Sequence, residues 1–283
     1  MSPSPVRSRG VRSFNVSQRP RVYTTEGVIL RRRNIGEADT IFTVFSPTQG
    51  KFDAVAKGVR KARSHMRGHL EPLTRSKLLL AHGRTLDVFT QAETITGYRT
   101  LREDLDLCGA AVYCCELVLR FTAERQEHRE LYELLLHTLD ALDARAPLHT
   151  VRYFELELLG LMGYEPQVDA CAVCGKRLPE ADVLLSASAG GFVCAECRAV
   201  AGAGRVISVR AIKVLRYARS ATQEAFAALR LDESVAREVQ SAVAELIRYV
   251  LDREPNTGKY LDQVARLPRF SPGADRPDDV QSL

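Results

Sequence analysis

The sequence predicts an α+β protein in which a small β-barrel precedes a helical domain, and the helical domain is interrupted by a cysteine-rich insertion. Three observations predict it. Residues 22–100 break into about five short apolar or alternating runs separated by turn residues. From about residue 105 the apolar spacing switches to the helical period. Between residues 165 and 205 that period disappears, and two C-x-x-C pairs take its place.

The strands come first. An apolar run from Tyr23 to Leu30 ends at Arg31, Arg32 and Arg33, and a second run, Thr40 to Phe45, stops at Ser-Pro-Thr-Gln-Gly. Residues 51–57 alternate, with Phe52, Ala54 and Ala56 on one face. Residues 76–81 and 85–94 flank His82-Gly83-Arg84, a hairpin signal. Five strands in about 80 residues suit a five-stranded OB-type β-barrel, although the periodicity alone admits other small barrels.

The helices follow. Leu105 to Glu124, His128 to Leu142 and Thr150 to Met162 carry apolar stripes, and Gly163 ends the third. Ser208 is a good N-cap for Val209 to Arg219, and a last helix spans about Asp232 to Asp252. The expected organisation is a basic disordered tail over 1–21, the barrel over 22–100, and helices over 101–164 and 206–267. The cysteine insertion occupies 165–205, and a Pro- and Asp-rich disordered tail occupies 268–283.

Composition narrows the function. No run of about 18 apolar residues is present, so no transmembrane helix is expected. The first twenty residues lack an apolar h-region, so no secretory signal is expected, and a cytoplasmic location fits. Residues 1–100 hold 18 Lys+Arg against 7 Asp+Glu, while the rest of the chain holds 22 against 28. A basic front and a mildly acidic back point to a polyanion partner for the barrel. The chain shows no G-x-x-x-x-G-K-[ST], H-E-x-x-H or G-x-S-x-G, and none of its six histidines falls in an acid–base motif. A binding protein is expected rather than an enzyme.

Cys171-Ala-Val-Cys174 and Cys194-Ala-Glu-Cys197 are separated by nineteen residues. This spacing predicts one structural Zn²⁺ per chain, because four thiolates fill a tetrahedron and leave no place for water. Gly175 sits where the first turn needs it, and Gly190-Gly191 suits a hairpin delivering Cys194. Cys108, Cys114 and Cys115 lie on an apolar helix and are read as small core residues.

The stretch AVAKGVRKARSHMRGHL, residues 54–70, contains Lys57, Arg60, Lys61, Arg63 and Arg67 and no acid. With Lys51 and with Arg31, Arg32 and Arg33 at other strand ends, it is the predicted phosphate-binding surface. Phe42, Phe45, Phe52 and Phe89 are weighed as base-stacking platforms, with core packing the commoner role. Glu37 and Asp39 in G-E-A-D read as a turn and a strand start. These residues alone suit RNA or a ribosome as well as DNA, or an architectural subunit that meets a protein.

Several segments resemble the RecO family of bacterial recombination mediators. They are Gly27-Val28-Ile29-Leu30, Gly36-Glu37-Ala38-Asp39, Gly50-Lys51, Leu70-Glu71-Pro72 and Ala92-Glu93. Ala56-Lys57-Gly58-Val59-Arg60-Lys61 resembles the family's A-K-G-x-R-K segment, and the cysteine pairs match its zinc-bearing members. The resemblance covers roughly residues 22–265, and the N-terminal 20 residues depart from the family's shorter start. It implies binding of single- and double-stranded DNA and annealing of complementary strands. It further implies work with RecR, and in some pathways RecF, to load RecA onto strands coated by single-strand-binding protein (SSB). The acidic, apolar C-terminal tip of SSB would then need an apolar pocket with a cation at its edge. Arg120, Arg125 and Arg152 are the candidates for that cation.

Overall fold

The computed structural model describes residues 21–252 together with Pro255, Thr257 and Gly258. The two expected disordered tails lie outside the described residues, apart from Arg21. Five strands form a closed barrel in the order β1-β2-β3-β5-β4. They are β1 (Val22–Ile35), β2 (Asp39–Ser46), β3 (Gly50–Ala56), β4 (Arg75–Ala81) and β5 (Asp87–Thr96). All pairings are antiparallel except a short parallel contact of Ala54 and Val55 with Asp87 and Val88. The barrel interior is built from side chains one strand apart, among them Ile29, Phe42, Val44, Phe52, Leu78, Leu80 and Phe89. Phe42, Phe52 and Phe89 are thereby core residues, and Phe45 is buried against the helices beside Tyr132. None of the four presents a face to a base, because small barrels have only large side chains with which to fill their interiors.

The first strand is longer than its sequence suggests. Arg31, Arg32 and Arg33 do not follow β1 but lie within it, opposite Thr43, Phe42 and Ile41. Val22–Val28 pair with β4, whereas the second half of the strand pairs with β2. That arm is wet on both faces, so four successive exposed polar residues, Arg31 to Asn34, are tolerated.

The helical part begins with α1 (Arg99–Glu103), α2 (Leu105–Phe121), α3 (Arg129–Asp143) and α4 (Thr150–Leu161). Asp104 caps α2 by accepting from the N–H groups of Asp106 and Leu107 at 3.1 and 3.2 Å. A small sheet, β7-β6-β8, interrupts the helices; its strands are β6 (Val183–Ser186), β7 (Gly191–Val193) and β8 (Arg205–Ile207), with α5 (Arg198–Ala201) between the last two. The chain then returns to helix with α6 (Val209–Ala218), α7 (Gln223–Ala227) and α8 (Glu233–Leu251). Ser208 caps α6 as expected, accepting from the Ala211 N–H at 3.2 Å. Cys114 and Cys115 are buried in this core, and burial pushes the Cys115 thiol up to about 12. Inside it Glu155 is fully buried, accepting from Tyr113 Oη at 2.6 Å and pairing with Arg152 Nε at 3.0 Å.

Barrel and helices are joined by polar contacts around β3. Gly50 has φ +61, and a Cβ there would stand 1.9 Å from the Gln126 carbonyl oxygen, so only glycine allows this approach. Lys51 Nζ donates to the Leu119 carbonyl at 2.6 Å and to the Thr122 carbonyl at 2.5 Å. These are carbonyls at the end of α2, which have no helical N–H to accept from. Arg125 donates its N–H to the Lys51 carbonyl at 2.8 Å, lays its guanidinium 4.6 Å from the Phe52 ring centre and pairs with Asp87. Asp87 also accepts from Tyr23 Oη at 2.6 Å, and His82 Nδ1 lies 3.3 Å from its other oxygen.

Burial works to raise the Asp87 carboxyl, but Tyr23, Arg125 and His82 together hold it below the ordinary value. A depressed carboxylate contributes stability above its unfolded pKa and loses it as pH falls through the folded one. Asp87→Asn should therefore destabilise the protein by about 1–3 kcal/mol at neutral pH. Denaturant melts should show the gap from wild type closing as pH drops below about 4.

Candidate nucleic-acid interface and metal centre

The cationic segment after β3 is a pinned loop. Val59 and Leu70 are buried in the barrel core, and Lys57, Arg60, Lys61, Arg63 and Arg67 all point outward. The loop is stitched to the β1–β2 turn. Gly58 donates its N–H to Asp39 Oδ1 at 2.7 Å, Arg60 donates its own to the Ala38 carbonyl at 3.0 Å, and Arg60 Nη1 reaches the Gly36 carbonyl at 3.2 Å. Asp39 thus starts β2 and organises the loop, in keeping with its reading as a turn and strand-start residue. The stitching brings the β1–β2 arm that carries Arg33 together with the loop.

A dense run of cations without acids, rather than lack of pairing alone, marks this surface. Arg177, Arg198, Arg230 and Arg248 of the helical part are also exposed and without a carboxylate partner among the described residues. Arg33, Lys57, Arg60, Lys61, Arg63 and Arg67 have no carboxylate partner among the described residues. Arg31 donates to Thr43 Oγ1 at 3.1 Å, and Arg32 alone of the arginine run is paired, with Glu71 at 2.8 Å. Beyond the barrel, Lys176, Arg205, Lys213 and Arg219 each stand within 3.0 Å of a carboxylate. Cations left without acids attract an external anion, whereas paired ones are largely neutralised. Lys77 and Arg84 of the barrel are also exposed and without a carboxylate partner among the described residues, but as single cations they form no run that a sequence would reveal.

Four predicted contacts are placed elsewhere. Lys51 is not a free cation: its ammonium is occupied by the α2 carbonyls, and burial and the nearby Arg31 lower its pKa. Arg125 pairs with Asp87 and lies over Phe52 while staying part-exposed, and Arg152 is buried with Glu155. Arg120 pairs with Glu116 at 2.8 Å and is mostly buried. A guanidinium held by a carboxylate of its own chain is a poorer anchor for another than a free one.

The cysteines do converge. The Sγ atoms of Cys171, Cys174, Cys194 and Cys197 all lie within 4.8 Å of one another. Cys174 and Cys194 are 3.8 Å apart, matching the edge of about 3.8 Å for a tetrahedron with metal–sulfur bonds near 2.3 Å. The first knuckle is closed by Gly175, at φ +72, donating to the Cys171 carbonyl at 2.8 Å. The second is a 3₁₀ turn, with the Cys197 N–H on the Cys194 carbonyl at 3.1 Å, fed by β7 as the glycine pair predicted. Ala172 donates to the Phe192 carbonyl at 2.9 Å and ties the knuckles together. Burial works to raise Cys171, yet the N–H groups of Cys174, Cys194 and Val173 outweigh it and bring the thiol down to about 6. Cys197 is pushed up to about 12, by hydrogen bonding with Cys194 and then by burial. Thiols this close share protons unevenly, and a bound divalent cation removes the conflict by holding all four as thiolates.

The fold and the site together define a two-part protein, with a barrel bearing acid-free cations at one end and a helical unit carrying four converging thiols that could hold a metal ion. The chain belongs to the RecO family. Residues 21–98 match the model for the recombination protein O N terminal and residues 102–259 that for its C terminal. A DNA repair protein RecO of Roseiflexus sp. (strain RS-1) is 39% identical over 254 residues, covering 89% of each chain. One of Dehalococcoides mccartyi (strain CBDB1) is 35% identical over 87% of this chain and 97% of its own. Another, of Pelotomaculum thermopropionicum, is 32% identical over 90% of this chain and 99% of its own.

Elemental analysis of the purified protein should find about one metal ion per folded chain. Cys174→Ser should lower the metal content and the yield of folded protein together. A fully folded wild-type chain without metal would contradict the assignment.

Proposed function

We propose that this protein is a DNA-binding recombination mediator without enzymatic activity. In this reading the cationic end of an OB-type barrel holds the phosphates of single- or double-stranded DNA and lets complementary strands anneal. With RecR, and with RecF in some pathways, the protein helps load RecA onto SSB-coated strands, and the C-terminal tip of SSB is one of its ligands. The observation that carries the reading is the set of acid-free cations Arg33, Lys57, Arg60, Lys61, Arg63 and Arg67, fixed by the loop's bonds to Gly36, Ala38 and Asp39. Family membership and the curated relatives, named as DNA repair proteins, support DNA as the polyanion. Arg31 and Arg32 remain weaker contacts, each already held by one neighbour.

The metal in this reading is Zn²⁺, held by Cys171, Cys174, Cys194 and Cys197. Bound there it supplies folding energy and no chemistry, since the four ligands leave it no open position. Among the described residues no helix is long and apolar enough to cross a membrane. A cytoplasmic site of action, on the nucleoid, goes with the reading.

Phosphate contacts carry little sequence information, so binding should tolerate any sequence. Replacing Lys57, Arg60 and Lys61 together by alanine should weaken binding of a single-stranded oligonucleotide. The slope of log K against log salt should flatten by about 2, at roughly 0.7 per lost contact. The triple variant should keep its metal, because the cluster lies outside the barrel. Fluorescence anisotropy across a salt series measures both quantities, and an unchanged slope in a folded variant removes the loop from the site. Annealing of SSB-coated oligonucleotides, with and without RecR, tests the mediator role itself.

A further inference from the structure

The four converging cysteines are unequally reachable from solvent. Cys171 is 2% exposed, and its Sγ accepts from the Cys194 N–H at 3.4 Å. Cys194 and Cys197 are half-buried. Cys174 is the exposed member, within an unbroken exposed stretch from Val173 to Arg177. Of the other thiols, Cys114 and Cys115 are buried in the helical core and Cys108 is half-buried on α2. Oxidation of cysteine follows thiolate character and exposure, so an oxidant arriving from solvent meets the Cys174 sulfur first.

A partner sulfur stands beside it. The Sγ atoms of Cys174 and Cys194 are 3.8 Å apart. A disulfide needs about 2.05 Å, a closure that side-chain rotation supplies when the two backbones are already apposed. They are apposed by more than a metal. Ala172 donates to the Phe192 carbonyl at 2.9 Å, and Lys176 Nζ meets Glu196 Oε2 at 2.9 Å. Both contacts join the knuckle of Cys174 to that of Cys194. Cys194 follows directly on β7, which β6 holds in register. The two sulfurs therefore stay within reach of one another when the metal leaves.

We propose that Cys174 and Cys194 are a peroxide-sensitive pair, through which the cluster passes from a metal-held to a disulfide-held state. The Cys174 sulfur attacks hydrogen peroxide, the O–O bond breaks, and a sulfenic acid forms while the leaving hydroxide takes a proton and departs as water. The Cys194 thiolate then attacks the Cys174 sulfur. The S–S bond forms, the S–O bond breaks, and the hydroxide takes a proton and leaves as a second water. Two electrons pass from the sulfurs to the peroxide. The divalent ion, stripped of two ligands, is released unreduced, and Cys171 and Cys197 each take up a proton. Four thiolates, one peroxide and four protons thus give one disulfide, two thiols, two waters and the free ion. The inference rests on the metal assignment and goes beyond it, and its test uses no DNA.

The test takes the full-length protein, reduced and then freed of reductant, and measures its metal first. A folded chain without metal overturns the assignment and this proposal together, whereas a loaded cluster that peroxide leaves intact overturns the proposal only. Hydrogen peroxide is then titrated in the presence of a chromogenic zinc chelator. Metal release should rise in step with disulfide formation, one ion per disulfide, and reductant with added Zn²⁺ should reverse it. Trypsin cuts after Arg152, Lys176, Arg177 and Arg198, which places Cys171 and Cys174 on one peptide and Cys194 and Cys197 on another. After alkylation, mass spectrometry without reduction should find these two peptides joined, with Cys171 and Cys197 alkylated. Two separate peptides, each closed on its own C-x-x-C pair, overturn the proposal. Metal release that precedes any disulfide overturns it as well, because the pair would then not be what expels the ion.

Discussion

Lys51 holds the two halves of the molecule in register. Its ammonium satisfies two carbonyls at the end of α2, its own carbonyl accepts from Arg125, and the glycine before it lets the backbones touch. A helix end buried without donors costs free energy, so the barrel in effect supplies part of the C-terminal cap of α2. Arg125, placed by that contact with φ +60, then reaches back to Asp87 and Phe52. Fixing β3 against α2 in this way also sets the cleft between them, and it leaves the opposite end of β3, where the cationic loop begins, free of the helices.

A lysine used in this way looks, in sequence, like any other cation in a basic barrel. The strands, the main helices, the Ser208 cap and the convergence of the four cysteines were all legible, because each depends on local period or fixed spacing. The intrachain partners of Arg125 and Lys51 were not legible, because Asp87 lies far away in sequence and the α2 acceptors are carbonyls, which no composition reveals. The extension of β1 through Arg31–Ile35 was hidden for a related reason. Strands are recognised by an apolar face, and this arm is polar on both faces along four residues. The strands β6 to β8, three or four residues each, are too short to display a period at all.

Charge on the molecule is sorted by pairing rather than by count. The helical part is rich in arginine and lysine, yet many of these meet an aspartate or glutamate within about 3 Å; exposed pairs of this kind add little stability but mask the field. The barrel loop carries cations and no acid, so an unmasked positive field concentrates there. The four-cysteine cluster stands apart from this division. One of its thiols is buried and one exposed, so it ties the surface knuckles around β6 and β7 to the core.

The order in which the ribosome delivers these pieces is set by the interrupted helical layout. The barrel closes through β1 with β4 and β5 with β3, so all its strand pairs exist once residue 96 has emerged. Helix α4, by contrast, packs against α8, with the whole cysteine segment between them in the chain. Its apolar face must wait, uncovered, while the four thiols are made and gathered. Domains generally fold as units and N-terminal ones first during synthesis, so the nascent barrel completes early while the helical layer cannot. If the four thiols are gathered on a metal, as proposed, a shortage of it during translation would leave that face waiting longer, and chaperone demand in the cell would follow metal supply.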